Sequence, residues 1–134
     1  MAFLDWDDSY SVGHIEIDIQ HRKLVNLINL LHDRMKEGKG KDASVGILKD
    51  LLEYADYHFK TEEDLMVKAE FPDLEKHREE HRSFEMKVHS MAMDAEKGEY
   101  LISLELNEFL KNWLTSHIKG SDKQYAPYLN EIGL

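Results

Sequence analysis

This 134-residue chain contains two pairs of side chains of the types that bind metals, and the two members of each pair are four residues apart. This spacing assigns each pair to one face of a helix. The pairs are His58 with Glu62 and His77 with His81. Residues at i and i+4 are neighbours on a helix surface, one turn apart. Each pair also falls within a stripe of apolar residues, which is the face that packs into a core. The spacing therefore predicts helices that carry imidazole and carboxylate groups inward.

Apolar residues recur at helical spacing in four stretches that are separated by glycine or proline. The predicted helices span residues 18–37, 42–69, 74–97 and 101–118, with Asp18 and Asp73 as N-caps and with Gly98 and Gly120 ending the last two. The opposite faces are rich in charged residues, so each helix is amphipathic. Short connections between such helices predict an all-α, antiparallel up-down-up-down four-helix bundle with an N-terminal extended arm. We expect a single domain, with an arm of residues 1–17, a bundle of residues 18–118 and a C-terminal segment of residues 119–134.

Composition narrows the function classes. The net charge of −10 argues against nucleic acid or an anionic membrane as a partner, because phosphate binding needs a basic face. The chain contains no cysteine, so disulfides, zinc–thiolate sites and cysteine-ligated iron–sulfur clusters are excluded. A metal must be held by nitrogen and oxygen ligands. The N-terminus lacks the apolar segment of a signal peptide, and no window approaches the ~18 apolar residues of a membrane span, so a cytoplasmic location is expected.

Topology places the ligand-type side chains at one end of the bundle. In an up-down-up-down bundle the start of the first helix lies beside the end of the second, the start of the third and the end of the fourth. The residues near these ends are His21, His58, Glu62, His77, His81, His117 and Asp122. Hydrogen bonding in the core explains a single inward histidine. Seven polar groups in one core layer need compensation, and a metal bound by imidazoles and carboxylates supplies it.

The combined pattern resembles the hemerythrin family, specifically its single-domain bacterial members. The resemblance covers nearly the whole chain, although each segment alone is weak. Four segments carry it: Ile17-Asp18-Ile19-Gln20-His21, then His58-Phe59-Lys60-Thr61-Glu62, the His77 and His81 pair, and Trp113-Leu114-Thr115-Ser116-His117 followed by Asp122.

The resemblance implies a non-haem di-iron centre (two Fe ions) with an oxo or hydroxo bridge. By motif position, one iron would be held by His77, His81 and His117, the other by His21 and His58, and both would be bridged by Glu62 and Asp122. The second iron would keep one open position for dioxygen. The implied function is reversible dioxygen binding for storage, delivery or sensing, with no catalytic residue and with an oxygen-consuming enzyme or redox partner left unidentified.

Two other functions stay open at this point, namely a di-iron oxidase or peroxidase-type enzyme and an oxygen or redox sensor that acts through a partner. Ferritin-like oxidases use four carboxylates and two histidines in Glu-x-x-His repeats. The candidate ligands here contain no such repeat and reverse the ratio to five histidines and two carboxylates. Fewer anionic ligands should stabilise high-valent iron less well, which favours oxygen binding over oxygen activation.

Residues next to the candidate ligands are predicted to line an oxygen pocket, although plain core packing explains them equally well. They are Phe59, Met66, Trp113, Leu114 and Ile118. An apolar wall would exclude the water and protons that speed autoxidation. His14 departs from the family pattern, which tends to have an apolar residue after Val12-Gly13. It is a solvent-facing substitution, or it alters a contact around the ligands or the access of solvent to the site.

Overall fold

A computed structural model describes residues 3–36, 40–96 and 100–133, and it confirms the four-helix bundle. The helices are α1 (Ile15–Lys36), α2 (Gly40–Lys68), α3 (Leu74–Glu96) and α4 (Tyr100–Ser116). Each helix packs against the next one in the chain, and α4 packs back on α1. The predicted helix ends at Glu37 and Gly98 lie outside the described residues. None of the described helices is long and apolar enough to cross a membrane.

The predicted apolar stripes meet in two buried clusters. The larger one fills the bundle with residues of all four helices, among them Leu24, Ile28, Leu51, Phe59, Phe84, Val88, Leu110 and Leu114. The smaller one closes the end of the bundle and contains Val12, Ile17, Met66, Ala69, Phe71, Tyr125 and Leu129. On α1, His21 lies between Ile17 of the smaller cluster and Leu24 of the larger one. The polar layer therefore has apolar packing on both sides.

The first helix begins three residues before the predicted N-cap, and Asp18 does not cap it. His14 takes that place: its Nδ1 accepts a hydrogen bond from the Ile17 N–H at 3.3 Å. Asp18 instead accepts hydrogen bonds from the Ser11 hydroxyl at 2.6 Å and the Val12 N–H at 2.9 Å, which attach the arm to the first turn. The half-buried His14 thus has a local structural role that its sequence context did not indicate.

The N-terminal arm packs along the bundle. The Leu4 N–H donates to Asn29 Oδ1 at 2.8 Å, and the Asn29 side chain donates back to the Leu4 carbonyl at 2.9 Å. Further along, the buried Tyr10 ends a single 3-10 turn, and its hydroxyl is hydrogen bonded to Thr115 Oγ1 of α4 at 3.2 Å. These contacts hold the arm against α1 and α4.

A left-handed residue ends α2. The Phe71 N–H donates to the Met66 carbonyl at 3.0 Å and the Glu70 N–H to the Val67 carbonyl at 3.1 Å, which is the Schellman pattern. Glu70 has a φ of 55°, a conformation that glycine adopts without the steric cost of a Cβ atom. This turn sets the direction of the chain into Pro72 and α3.

We expect the Glu70→Gly variant to be more stable than the parent by about 0.5–1 kcal/mol, because relief of the left-handed strain exceeds the added entropy of the unfolded chain. The Glu70 side chain is exposed and its loss removes no packing. Thermal unfolding of the metal-free protein measures the difference. Glu79→Gly is the matched control at an exposed position inside α3, and it should destabilise by about 1 kcal/mol. Equal destabilisation by both substitutions would contradict the strain at residue 70.

The C-terminal segment contains a helix that the sequence analysis did not predict. After Ser116 the chain continues through a π-helical segment, His117–Asp122, into α5 (Lys123–Glu131). Gly120, predicted to end the fourth helix, lies inside the π-helical segment, so that prediction was wrong. α5 packs against α2 and buries Tyr125 and Leu129. Pro127 lies inside α5, and the glycine and proline together gave the segment the composition of a helix end.

Candidate metal centre

Seven polar side chains are buried together where the start of α1, the end of α2, the start of α3 and the π-helical segment meet. Each is 5% exposed or less, and the set consists of His21, His58, Glu62, His77, His81, His117 and Asp122. These are the seven residues that the sequence predicted. The fold brings all of them into one layer between the two apolar clusters.

The ligand atoms of these side chains form two groups, and in each group they all lie within 4.8 Å of one another. One group contains His77, His81 and His117, and the other contains His21 and His58, while Glu62 and Asp122 belong to both. The division is the one that the resemblance implied. The role of each residue as an iron ligand stays a prediction.

Both shared carboxylates direct one oxygen toward each group. Asp122 Oδ2 lies 3.0 Å from His21 Nε2, whereas its Oδ1 lies 2.9 Å from His77 Nε2 and 3.0 Å from His117 Nε2. Glu62 Oε1 contacts His58 Nε2 and lies 3.4 Å from His21 Nε2, whereas its Oε2 lies 3.3 Å from His77 Nε2. A carboxylate with its two oxygens divided in this way is arranged to bridge two cations.

Residues outside the layer orient three of the imidazoles through Nδ1. Gln20, Glu63 and Glu80 place a side-chain oxygen 2.7, 3.0 and 3.2 Å from Nδ1 of His58, His81 and His117 respectively. An acceptor at Nδ1 holds the proton there and leaves the Nε2 lone pair directed inward, as metal ligation requires. The sequence analysis named none of the three as a site residue. Each one is adjacent in sequence to a candidate ligand, which is the only signal that the sequence offered.

The facing nitrogen atoms fit a site for cations. His81 Nε2 and His117 Nε2 lie 3.1 Å apart. With the Nδ1 protons of both rings directed at carboxylates, two lone pairs face each other at Nε2, and they repel unless a cation or a further proton lies between them. Both oxygens of Asp122 lack a hydrogen-bond partner among the described residues although they are buried. Imidazole nitrogens and carboxylate oxygens that converge in this way suit a borderline ion such as iron.

In the metal-free chain, raised pKa values favour protonated imidazoles in the layer. Burial lowers the pKa values of His21 and His77, but the facing carboxylates of Asp122 and Glu62 outweigh it and raise both to about 9. The pKa of His117 rises to about 10 for the same reason. Burial raises the pKa values of both carboxyl groups, but the imidazoles that surround them lower the values below the usual range. Metal uptake must therefore displace protons.

We expect the metal-free protein to lose stability as the pH rises from 7 to 10. A raised folded-state pKa stabilises the fold fully below the unfolded value of 6.5, and this contribution is lost as the pH rises through about 9 to 10. The melting temperature of the chelated protein should fall by at least about 10 °C across this range, since even one such imidazole loses about two pKa units, one pKa unit is about 1.4 kcal/mol, and each kcal/mol moves the melting temperature by roughly 4 °C. If these imidazoles bind metal as predicted, ligation keeps them neutral, and the melting temperature of the metal-loaded protein should change much less. If the melting temperatures of the two forms changed equally with pH, the assignment of these imidazoles as metal ligands would be contradicted.

The π-helical segment aligns His117 with Asp122. Asp122 is five positions after His117, and in an α-helix this spacing would direct the side chains to different faces. Backbone bonds in a π-helix join residues i and i+5, so residues five apart lie one turn apart on the same face. Short π-helical segments are frequent at functional sites. The segment therefore explains how Asp122 enters the layer from beyond the end of α4.

Four of the five predicted pocket residues are buried, and two of the five contact imidazoles directly. Phe59 stacks on His81 with ring centroids 3.9 Å apart, and the half-buried Trp113 stacks on His117 at 4.3 Å. Both contacts involve the group with three histidines. Leu114, Ile118 and Met66 are each 4% exposed or less. Their role as the wall of an oxygen pocket stays a prediction.

Tyr125 is buried at the same layer, on the side of the smaller apolar cluster. Its ring lies 5.6 Å from the His77 ring, and its hydroxyl has no hydrogen-bond partner among the described residues. Burial and the charges of Glu62 and Asp122 raise the pKa of its phenol well above the usual value. Tyr128, by contrast, is half-buried and packs on Phe71. Only Tyr125 of this pair is directed at the layer.

Comparisons with known proteins agree with the geometry. The family model described as the hemerythrin HHE cation binding domain matches residues 13–129. A hemerythrin-like protein of Naegleria gruberi is 39% identical over 125 residues, which are 93% of this chain and 92% of that protein. A bacteriohemerythrin of Stenotrophomonas maltophilia (strain R551-3) is 35% identical over 127 residues, 94% of this chain and 81% of that protein. A crystal structure of a hemerythrin variant with one leucine replaced by alanine superposes with a TM-score of 0.88 at 28% identity, covering 96% of this chain and 98% of that one.

Proposed function

This chain belongs to the hemerythrin family, whose members are di-iron, oxygen-binding proteins, and we propose that its centre binds dioxygen reversibly in order to store, deliver or sense it. The observation that carries the proposal is the unequal division of the imidazoles, three on one side of the shared carboxylates and two on the other. Reversible binding requires a vacancy for the ligand and no reaction that consumes it. The donor set is suited to both.

The vacancy follows from counting the donors that side chains provide. In the proposal, His77, His81 and His117 hold one iron, His21 and His58 hold the other, and both carboxylates serve the two. The second iron would receive one protein ligand fewer than the first, and His21 and His58 would leave room there for a small ligand. A di-iron centre, when bound, supplies two electrons that dioxygen takes up on binding and returns on release.

Apolar packing restricts the access of water to the centre. In the proposal, Phe59, Met66, Trp113, Leu114 and Ile118 form the wall around the bound gas. Their burial supports this role, and the stacking of Phe59 on His81 and of Trp113 on His117 holds the two rings in place. A dry, rigid surrounding slows the entry of protons, which would otherwise promote loss of superoxide or peroxide from the oxygenated protein.

The donor set disfavours oxidase chemistry. Di-iron carboxylate proteins of the ferritin-like class use a Glu from each of two helices and a Glu-x-x-His motif from each of two others. The layer here contains two carboxylates among seven buried groups. Fewer anionic ligands stabilise high oxidation states of iron less well, so we propose that the protein is a carrier or sensor and not an enzyme.

Stopped-flow mixing of the reduced, iron-loaded protein with dioxygen tests this function. We expect a coloured adduct that forms within the mixing experiment, persists without added reductant, and returns to the colourless reduced form when the gas is removed under vacuum. The protein loaded with zinc in place of iron is the control and should show no colour change. Rapid consumption of an added electron donor, with no recoverable dioxygen, would show that the protein is an oxidase and not a carrier.

Storage, delivery and sensing make different demands on the surface of the protein. A sensor should change its surface when dioxygen binds, whereas a store need not. Hydrogen exchange of the reduced and oxygenated forms measures this difference, and protection changes on the outer faces of α1 or α4 would favour sensing. The cytoplasmic location stays a prediction of the sequence.

A further inference from the structure

Tyr125 is a buried polar side chain at the centre that neither metal ligation nor the apolar wall explains. It is 0% exposed, and its hydroxyl has no hydrogen-bond partner among the described residues. A buried hydroxyl without a partner costs about 1–3 kcal/mol, and phenylalanine would fill the same space without that cost. An unpaired hydroxyl in this position therefore indicates a bond that forms when the centre is complete.

The chain directs Tyr125 at the carboxylates. It follows Asp122 by three residues, across the junction between the π-helical segment and α5, and residues three apart share a helix face. Its ring lies 5.6 Å from that of His77. Ionised carboxylates accept hydrogen bonds and cannot donate them, whereas a phenol donates readily. The charges of Glu62 and Asp122 both raise the pKa of Tyr125, that of Glu62 more strongly, which favours Glu62 as the partner.

We propose that Tyr125 is a positioning residue whose hydroxyl donates a hydrogen bond to the carboxylate of Glu62 in the metal-loaded protein. The proposal rests on the proposed function, because it assigns Glu62 as the ligand shared by both irons. The bond fixes the plane of the carboxylate, so that one oxygen stays directed at each histidine group. It does so from the smaller apolar cluster, on the opposite side of the layer from Phe59 and Leu114.

The hydrogen bond has an electronic consequence. A donor to a ligating carboxylate withdraws negative charge from its oxygens, and hydrogen bonds to ligands are among the factors that set the potential of an iron centre. A less negative carboxylate stabilises ferric iron less, so the reduction potential rises. Tyr125 thereby favours the reduced form, which is the form that binds dioxygen.

Tyr125→Phe tests the proposal, with Tyr128→Phe as the matched control on the same helix. We expect Tyr125→Phe to retain its iron, to show a lower midpoint potential in a spectroelectrochemical titration, and to oxidise several-fold faster in air. Tyr128→Phe should match the parent protein in all three measurements. Equal midpoint potentials for the two variants would overturn the proposal, because it predicts a shift for Tyr125→Phe alone.

A second measurement needs no variant and is independent of dioxygen. Zinc accepts the same nitrogen and oxygen ligands and is diamagnetic, so the zinc-loaded protein suits proton NMR. We expect a slowly exchanging, downfield hydroxyl proton of Tyr125 with a cross-peak to the Glu62 side chain. A rapidly exchanging hydroxyl would overturn the bond. Because both readouts are obtained without oxygen release, failure of reversible binding would refute the proposed function and leave the Tyr125 bond intact.

Discussion

Glu62→Ala should leave the protein unable to hold two irons. Glu62 is 0% exposed and directs one oxygen at each histidine group, so its loss removes a ligand from both positions at once. We expect iron per chain to fall to one or less, together with loss of the visible absorption of the oxidised centre. Removal of one partner from a buried set of charges also destabilises a fold by about 3–5 kcal/mol. Metal analysis and thermal unfolding measure the two effects.

Asp64→Ala is the matched control for this substitution. Asp64 is exposed on the same helix, two residues further on, and it belongs to neither ligand group. The control should keep its iron and unfold within about 0.5 kcal/mol of the parent, as surface substitutions usually do. Full iron content in Glu62→Ala would refute the bridging role of Glu62.

Leu114→Ala should shorten the life of the oxygenated protein. Leu114 is 4% exposed in the larger cluster, three residues before His117 on the turn that leads into the layer. Its truncation leaves a cavity that admits water, and we expect the oxygenated form to decay several-fold faster. The cavity should also destabilise the fold by about 2–5 kcal/mol. Decay of the oxygenated spectrum in air and chemical unfolding measure the two effects.

Leu106→Ala is the control that distinguishes a role of Leu114 in the pocket from a role in core packing. Leu106 is 2% exposed in the same cluster and on the same helix, but it lies two turns further from the layer. It should cause a similar loss of stability with an unchanged decay rate of the oxygenated form. If the two variants decay at equal rates, Leu114 acts only as a core residue.

Most of the fold and six of the seven residues of the layer could be predicted because both depend on helical spacing. His58 with Glu62 and His77 with His81 are one turn apart, and the up-down topology determines which helix ends meet. Asp122 was reached by its motif and not by periodicity, because a five-residue spacing after His117 matches no α-helical face. Only a π-helical segment brings it inward, and its formation depends on how the chain packs against the rest of the bundle.

The features that the sequence analysis missed depend on tertiary contacts. Gln20, Glu63 and Glu80 orient imidazoles on other helices, and a periodic pattern within one helix contains no information on such partners. α5 contains Pro127 and still forms a helix, because its buried face packs against α2. Asp18 has the residue type of an N-cap, but tertiary packing of the arm uses its carboxylate one turn into the helix. Local propensity is outweighed at each of these positions.

The outer partners of the imidazoles make the two halves of the centre chemically unequal. His81 and His117 face carboxylates at Nδ1, whereas His58 faces a neutral amide and His21 Nδ1 has no partner among the described residues. An anionic partner draws the ring proton away and makes the opposite nitrogen a stronger base, and loss of such a partner typically weakens metal affinity by about 10–100-fold. The half with three histidines should therefore fill first and empty last, so that partial loading yields chains with a single occupied position rather than a mixture of full and empty ones.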